Sequence, residues 1–238
     1  MQAGGIDIVN LANNHIYDYK EQGLFDTIYN LGQGNIKYIG AGKNLKSARK
    51  PVLIEIKGVK LAFLGYYGLR KHSDSHPATK DSAGTAMRKL QFIHEDIRSL
   101  RDSVDVIIVN FHWGIEKEHL PGTDQISFAH KTIDYGADLI VGHHPHVLQG
   151  IEEYKGKLIS YSLGNFIFGG NSRKHEKTAV LQIRIDSTAK QISGFEMLPV
   201  QVDYWQPKLI KNQTRQAVLD SLTKYSEIFD KSAFSYQR

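Results

Sequence analysis

Residues 138–168 read DLIVGHHPHVLQGIEEYKGKLISYSLGNFIF, in which an apolar run leads directly into a group of histidines. The apolar run 139–141 ends at a glycine, and three histidines follow within four residues: His143, His144 and His146. An apolar run bounded in this way is typical of a buried strand. Because ligands in open α/β sheets bind outside the carboxyl ends of strands, the pattern predicts a strand that delivers imidazoles to a site.

Two other apolar runs end in polar turns that also contain a histidine. Residues 6–12 (IDIVNLA) lead into Asn13-Asn14-His15, and residues 104–111 (VDVIIVNF) lead into His112-Trp113-Gly114-Ile115-Glu116. Neutral imidazole together with amide or carboxylate oxygen forms a ligand set suited to Zn, Mn or Fe. Three such turns predict a metal site where the strand ends meet, and the alternative is a set of polar caps that close a sheet edge.

The remaining patterns indicate the fold class. Apolar residues at helical spacing predict helices that begin near residues 20, 90 and 123, and residues 52–67 predict a β-hairpin. From residue 158 onward strands follow one another without helices, until a final amphipathic helix near 213–229. Its expected apolar positions are Ala217, Leu219, Leu222, Tyr225 and Phe229. Strands that alternate with helices predict an α/β protein.

The composition limits the classes of function. With 238 residues, 41% of them hydrophobic and 23% charged, the chain is ordinary globular protein with room for one sizeable core. A formal charge of +5 favours acidic partners, but the basic residues form no long block, so nucleic acid is not an expected partner. The absence of cysteine excludes disulfides and thiolate metal sites. The sequence also contains no apolar run of transmembrane length and no signal-peptide pattern.

Four strings of the sequence are similar to motifs of a known family: LANNHIYDY, FHWGIEKEHLPGTDQ, DLIVGHHPHVLQGIE and YSLGNFIF. They closely resemble the bacterial capsule-synthesis proteins of poly-γ-glutamate production, which belong to the calcineurin-like metallophosphoesterase superfamily. The likeness runs from about residue 6 to about residue 207. It implies a metallophosphoesterase-like layered sandwich of β-sheets flanked by helices at residues 1–207, followed by a helical extension at 208–238.

The resemblance also implies roles for individual residues. Divalent metal ions (Mn, Zn or Fe) are expected, two of them in an intact family member. The implied metal ligands are Asn14, His112, His144 and His146. His15 would face the scissile phosphate, either as general acid to the leaving oxygen or as a hydrogen-bond donor in the transition state. His143 competes with His144 for the ligand position.

Several neighbouring residues are expected to support this centre. Asp18 is a second catalytic candidate because its carboxylate could orient His15, and its alternative role is the helix N-cap. Glu116 could instead be a solvated turn residue, and Asn165 could instead hold a tight turn. The residues expected to contact substrate or to support the ligands are Asn13, Glu116, His143 and Asn165. Loop residues that could meet an anionic substrate, or simply be solvated, are His72, His76, Arg173, Lys174, His175 and Lys177.

The beginning of the chain departs from the family pattern. In the superfamily, the first strand carries an Asp-x-His-like or Gly-Asp motif and a bridging acidic residue follows, whereas Asp7, upstream of Asn13, does not fit this motif. We therefore expect one or more N-terminal strands to be missing. The alternatives are a fragment of a longer product, which we favour, and a reduced relative.

The leading functional hypothesis is a protein of poly-γ-glutamate or related envelope-polymer synthesis or export, with a metal-dependent phosphoesterase-like site. The alternative is a non-catalytic polyanion-binding or assembly subunit that keeps the fold. Expected partners are an anionic polymer or phosphoester substrate and a membrane-bound synthesis complex. The full-length protein is expected to be extracytoplasmic and membrane-associated.

Overall fold

The computed structural model describes residues 1–69, 76–168 and 176–230, which form two compact units. The first unit takes residues 1–113 and 135–137, and the second takes 114–134 and the chain from 138 onward. The predicted division at residue 207 stays a prediction. Four of the loop residues that were considered as substrate contacts lie outside the described residues: His72, Arg173, Lys174 and His175.

The first unit contains strands that pair within three separate groups. Its strands are β1 (Ile8–Asn10), β2 (Lys37–Ile39), β3 (Ala41–Gly42), β4 (Val52–Ile56), β5 (Val59–Tyr67), β6 (Gly84–Thr85) and β7 (Val106–His112). β1 and β2 are parallel, and β3 and β6 are antiparallel. β4 and β5 form the predicted antiparallel hairpin, and β7 lies parallel to β5 with Tyr67 opposite His112.

The helices of the first unit follow the predicted hydrophobic stripes. They are α1 (Lys20–Gln33), α2 (Leu45–Ala48) and α3 (Leu90–Leu100). α3 buries Ile93, Ile97 and Leu100, which is the spacing of one helical face. β7 is buried almost throughout, as a near-continuous apolar run requires when strands run parallel between two layers. The predicted helix at α3 and the predicted strand at β7 are therefore both confirmed, because in each the spacing of the apolar residues indicates the element.

The second unit begins with a helix and then consists mainly of strands. Its elements are α4 (Thr123–Asp134), β8 (Leu139–His143), β9 (Ile151–Tyr154), β10 (Lys157–Ser160), β11 (Glu176–Asp186), β12 (Gln191–Asp203), β13 (Gln206–Leu209) and α5 (Asn212–Ser226). β10 pairs in parallel with β8 and antiparallel with β9. β11, β12 and β13 form an antiparallel meander. The opening stretch of the sequence thus supplies β8, β9 and β10.

The C-terminal helix buries a face that matches the predicted one only in part, since Leu222 and Phe229 are buried as predicted. Ala217 is exposed, and the buried residues of α5 are Val218, Leu222 and Ser226. The Ser226 hydroxyl accepts a hydrogen bond of 2.8 Å from the backbone N–H of Ile151 at the start of β9. A serine is useful on this face because it satisfies a buried backbone donor, and a pattern of apolar residues does not indicate such a position.

Among the described residues, no helix is both long enough and apolar enough to cross a membrane.

Candidate metal centre

Three side chains of the second unit converge at the end of β8. Glu116, His144 and His146 each offer one ligand atom, and these atoms lie within 4.8 Å of one another. His144 is 8% exposed, His146 is partly buried and Glu116 is exposed to solvent. The group therefore combines two imidazoles that the fold shields with a carboxylate that solvent reaches.

A backbone contact holds the glutamate turn against the histidine turn. The N–H of Lys117 donates to the carbonyl of Pro145 at 2.8 Å, which joins the residues next to Glu116 and His146. Gly114 begins the glutamate turn with a φ of 86°, and a Cβ at this position would lie 2.8 Å from the side-chain oxygen of Gln125. Only glycine fits such a close approach in the left-handed region.

The backbone of the histidine turn is strained at both candidate ligands. His144 has a φ of 102° and His146 a φ of 62°. Residues with a Cβ rarely adopt positive φ, at a cost of about 1–3 kcal/mol each, and they persist only where the surroundings fix them. Turn residues such as Lys57 and Lys155 also have a φ of 51°, so among the described residues other than glycine the φ of 102° at His144 is the value that departs most from an ordinary left-handed turn.

Asn165 determines which nitrogen of His146 can bind a ligand. The Nδ1 atom of His146 lies 2.7 Å from Oδ1 of Asn165. Because an amide oxygen only accepts hydrogen bonds, Nδ1 carries the proton and Nε2 keeps its lone pair. Nε2 lies 4.0 Å from the nearer carboxylate oxygen of Glu116. This distance is too long for a hydrogen bond and close to the spacing of two ligands on one ion, about 3.4 Å for tetrahedral zinc.

The chemistry of these donors fits a divalent transition metal. Two imidazoles and one carboxylate are typical of zinc sites that leave one position open, and manganese and iron accept the same donors. The buried Asn165 also supplies the outer hydrogen bond that metal-binding histidines usually make. Glu116, Asn165, His144 and His146 thus form a consistent candidate centre.

His143 takes a different position in the same strand end. His143 is the last residue of β8, and it is not part of the group of Glu116, His144 and His146. Burial lowers the pKa of the His143 imidazole to about 4, so the ring is neutral at pH 7. A neutral, shielded ring beside a cation-binding group avoids charge repulsion.

The first unit brings two further candidate ligands together. His112 ends β7, and its Nε2 atom lies 2.8 Å from Oδ1 of Asn14, which is 4% exposed. Two ligands at right angles on one ion, each at about 2.1 Å, are about 3 Å apart. In this hydrogen bond Nε2 of His112 carries the proton, so it would bind a metal only after the proton is lost, while the two atoms already lie near the separation that a shared ion requires.

His15 and Asp18 form a second pair in the first unit. Nδ1 of His15 lies 2.9 Å from Oδ2 of Asp18, and the two side chains are 60% and 51% exposed. Tyr19, not Asp18, occupies the N-cap position of α1. The geometry therefore fits the role in which Asp18 orients His15, and not the N-cap role. The contact at Nδ1 leaves Nε2 of the His15 ring accessible.

The other residues considered in these turns have local partners. The side-chain oxygen of Asn13 accepts the N–H of His15 at 2.9 Å, so it shapes the turn that presents the histidine. The ring of His76 stacks on Tyr17 at 4.2 Å between centroids. Trp113 is fully buried and stacks on Phe111 at 4.5 Å between centroids, so it is a packing residue.

The sequence did not indicate that Glu116 belongs with the two histidines. The sequence suggests a support or a substrate contact, whereas the carboxylate lies within ligand distance of both imidazoles. One signal was present, since Glu116 follows the strand end marked by His112. The contact itself depends on the Lys117–Pro145 hydrogen bond, which links residues 28 positions apart and leaves no periodic trace in the sequence.

Solved structures share the fold of this chain. A hypothetical protein from Thermus thermophilus aligns with 84% of the chain and 78% of its own, with a TM-score of 0.55 and 14% identity. A putative 5'-nucleotidase from Staphylococcus aureus aligns with 92% of the chain and 42% of its own, with a TM-score of 0.55 and 17% identity. These neighbours have the calcineurin-like phosphoesterase fold. The predicted fold class, helices flanking several β-sheets, is thereby confirmed.

Proteins with similar sequences have names from capsule biosynthesis. "Capsule biosynthesis protein CapA" of Bacillus anthracis is 33% identical over 233 residues, which are 94% of this chain and 55% of the relative. "PGA biosynthesis protein CapA" of Bacillus subtilis (strain 168) is 32% identical over 222 residues, 92% of this chain and 57% of the relative. The chain thus spans about half the length of these curated relatives. The family model described as bacterial capsule synthesis protein PGA_cap matches residues 1–170. The chain belongs to the bacterial capsule synthesis protein family.

Proposed function

We propose that this chain acts in the synthesis or export of poly-γ-glutamate or a related envelope polymer, as a metal-dependent hydrolase of phosphoester or other ester bonds. The observation that carries the proposal is the group of Glu116, His144 and His146, whose ligand atoms lie within 4.8 Å of one another. The names of the Bacillus relatives support the polymer, and the phosphoesterase fold of the structural neighbours supports the reaction class.

The residues of the second unit would hold the ion. A divalent metal at this position supplies a bound water of lowered pKa and polarises the oxygen of the bond to be cleaved. Asn165 accepts a hydrogen bond from Nδ1 of His146, so the neutral ring would offer the lone pair of Nε2, and His144 would supply the second imidazole. The negative charge of Glu116 offsets the charge of the cation. Asn14 and His112 of the first unit are the proposed ligands of a second ion.

We assign the proton transfer to His15, as the resemblance to the family implies. In hydrolysis of a phosphoester, a bond forms between water oxygen and phosphorus while the bond from phosphorus to the ester oxygen breaks. His15 would donate the proton of its Nε2 to that leaving oxygen, and the Asp18 carboxylate at Nδ1 would stabilise the charged ring beforehand. The pair is exposed, so a leaving group has access to the ring.

The proposed cellular setting follows from the family. We infer a place outside the cytoplasm, associated with the membrane through a longer protein or through a membrane-bound synthesis complex. The proposed division of the chain remains a catalytic domain at residues 1–207 followed by an extension at 208–238. The helix of that extension contacts β9 and β12 of the second unit.

Metal content and turnover of a model phosphodiester test this function together. The purified chain is loaded with Zn²⁺, Mn²⁺ or Fe²⁺, and hydrolysis of bis(p-nitrophenyl) phosphate is followed with and without chelator. We expect bound metal and turnover that are both lost with chelator or with His146→Ala, and kept in the control His94→Ala, which changes an exposed residue of α3. A chain that retains no metal, or a His146→Ala variant with unchanged turnover, contradicts the proposal.

A second candidate function is a polymer-binding subunit without turnover. One observation favours it, a groove of the first unit whose charged lining residues are mostly basic. This groove lies among residues that the catalytic proposal does not use.

A further inference from the structure

The first unit contains a groove of 870 Å³ beside the short helix α2. Five of its lining residues are basic and one is acidic: Lys43, Lys46, Arg49, Lys50 and Lys80, and Asp96. A shallower depression of 550 Å³ shares Ser47, Lys50 and Pro51 with the groove and adds Lys37. The positive charges therefore continue from one concavity into the next.

The loops that present these lysines are fixed by local hydrogen bonds. Asn44 and Ser47 cap α2 reciprocally, with the Ser47 N–H 2.9 Å from Oδ1 of Asn44 and the Asn44 N–H 3.0 Å from Oγ of Ser47. The N–H of Leu45 donates to the carbonyl of Thr79 at 2.7 Å, which attaches the loop of Lys80 to α2. These hydrogen bonds fix the conformation of the backbone around the groove.

The arginine and the aspartate of the groove neutralise each other. Arg49 donates to both carboxylate oxygens of Asp96, at 3.0 and 2.8 Å, and it also bonds Glu95 at 2.8 Å. The hydroxyl of Tyr66 donates to the same Asp96 carboxylate at 2.7 Å. With both oxygens of Asp96 engaged, the one acidic residue of the lining is not available to the lysines.

Four lysines consequently carry the net charge of the groove: Lys43, Lys46, Lys50 and Lys80, which we call the lysine groove. All four are exposed, and over residues 1–69, 76–168 and 176–230 none of them forms an ion pair. Like charges that face one concavity repel one another, so an arrangement without carboxylate partners favours an anion that binds several of them at once.

We propose that the lysine groove binds a polycarboxylate chain, such as the acidic polymer to which the proposed function assigns this protein. A flexible lysine is a point charge without the planar fork of arginine, so it suits carboxylates whose spacing varies along a chain. Leu45 and Pro51 line the same groove and offer apolar contact to the methylene groups of such a chain. The inference rests on the proposed function for the identity of the polymer, and it requires no turnover.

A nucleic acid is a weaker fit to this groove. Single-stranded nucleic acids are held by aromatic side chains on which bases stack, together with arginine forks that contact phosphate. The described lining residues of the larger groove include no aromatic side chain, and its one arginine is engaged by Asp96 and Glu95. The charge pattern therefore favours carboxylates along a flexible chain.

Charge-reversal variants of matched net charge test the groove. Fluorescent poly-γ-glutamate is titrated with the full chain in chelator, so that binding is measured without any metal-dependent reaction. The groove variant is Lys43→Glu/Lys46→Glu/Lys50→Glu, and the control is Lys131→Glu/Lys208→Glu/Lys224→Glu, which reverses three exposed lysines of the second unit. Circular dichroism and thermal unfolding confirm that both variants fold.

We expect the groove variant to bind the polymer at least about ten-fold more weakly than the unchanged chain, and the control variant to differ by less than about three-fold, because its three lysines line neither concavity. The affinity should also fall as salt is added. Equal losses in the two variants would show a general effect of net charge and overturn the proposal. Polyphosphate or single-stranded DNA that binds as tightly, with the same loss in the groove variant, would overturn the assignment to carboxylates. His146→Ala should bind the polymer normally, so a failed metal site and a failed groove give different results.

Discussion

The strained backbone at His144 predicts an inversion of the usual order of glycine and alanine. In regular helices and strands, glycine is less stable than alanine by about 0.5–1 kcal/mol. At a φ of 102°, however, an alanine Cβ keeps the strain, which costs about 1–2 kcal/mol, and glycine removes it. Both His144→Gly and His144→Ala lose the same imidazole, so their difference isolates the backbone term. We expect the glycine variant to be more stable by about 1 kcal/mol.

Thermal unfolding in the presence of chelator measures this difference. For a chain of this size, 1 kcal/mol corresponds to a shift of about 2–4 °C in Tm. The matched control is the same pair of substitutions at His94, an exposed residue within α3, where alanine should be the more stable variant. If alanine is equal to or better than glycine at residue 144 as well, the positive φ of His144 carries no strain. In the absence of chelator, added zinc should raise the Tm of the unchanged chain. It should raise the Tm of both His144 variants by clearly less, because they lack one of the proposed ligands.

Three further substitutions test other parts of the structure. Asn165→Ala should weaken metal affinity about 10–100-fold because Nδ1 of His146 loses its acceptor, and Asn165→Asp should restore most of it, as isothermal titration with Zn²⁺ would show. Asp18→Asn should lower phosphodiester turnover about ten-fold or more and leave metal content unchanged, and a loss of bound metal would contradict its role as a positioning residue. Ser226→Ala should cost about 1–3 kcal/mol in chemical unfolding because the buried N–H of Ile151 loses its acceptor, and an unchanged stability would refute the contact between α5 and β9.

The periodic parts of the fold could be predicted from the sequence. The stripe of Ile93, Ile97 and Leu100 and the apolar run of β7 have the periods of a helix and of a buried strand, and both elements are present. β9 was not predicted because its sequence, IEEY, alternates weakly and carries two acidic residues. In α5, Leu222 is buried as predicted, whereas the burial of Ser226 was not predicted because it depends on a hydrogen bond to a distant strand.

The candidate site was predictable in its residue types and less so in its contacts. The motifs pointed to His144 and His146, but the sequence could not separate His143 from His144, since the choice depends on which ring lies within reach of Glu116 and His146. Glu116 joins the group through a backbone contact between two turns. The lysine groove could not be predicted either, because its residues come from two separate stretches of the chain, around positions 43–50 and 80. These stretches meet through a backbone hydrogen bond from Leu45 to Thr79.

We propose that one divalent ion binds to Glu116, His144 and His146. The most direct measurement is the Zn²⁺ affinity of Glu116→Gln compared with Glu118→Gln, a substitution of the same kind at an exposed glutamate two residues away. Glutamine keeps the size of the side chain and replaces the anionic carboxylate with a neutral amide, which is a weaker ligand for a divalent ion. We predict that Glu116→Gln weakens zinc binding at least about ten-fold and that Glu118→Gln leaves it unchanged. Equal zinc affinities of the two variants would contradict the proposal that Glu116 binds the ion together with His144 and His146.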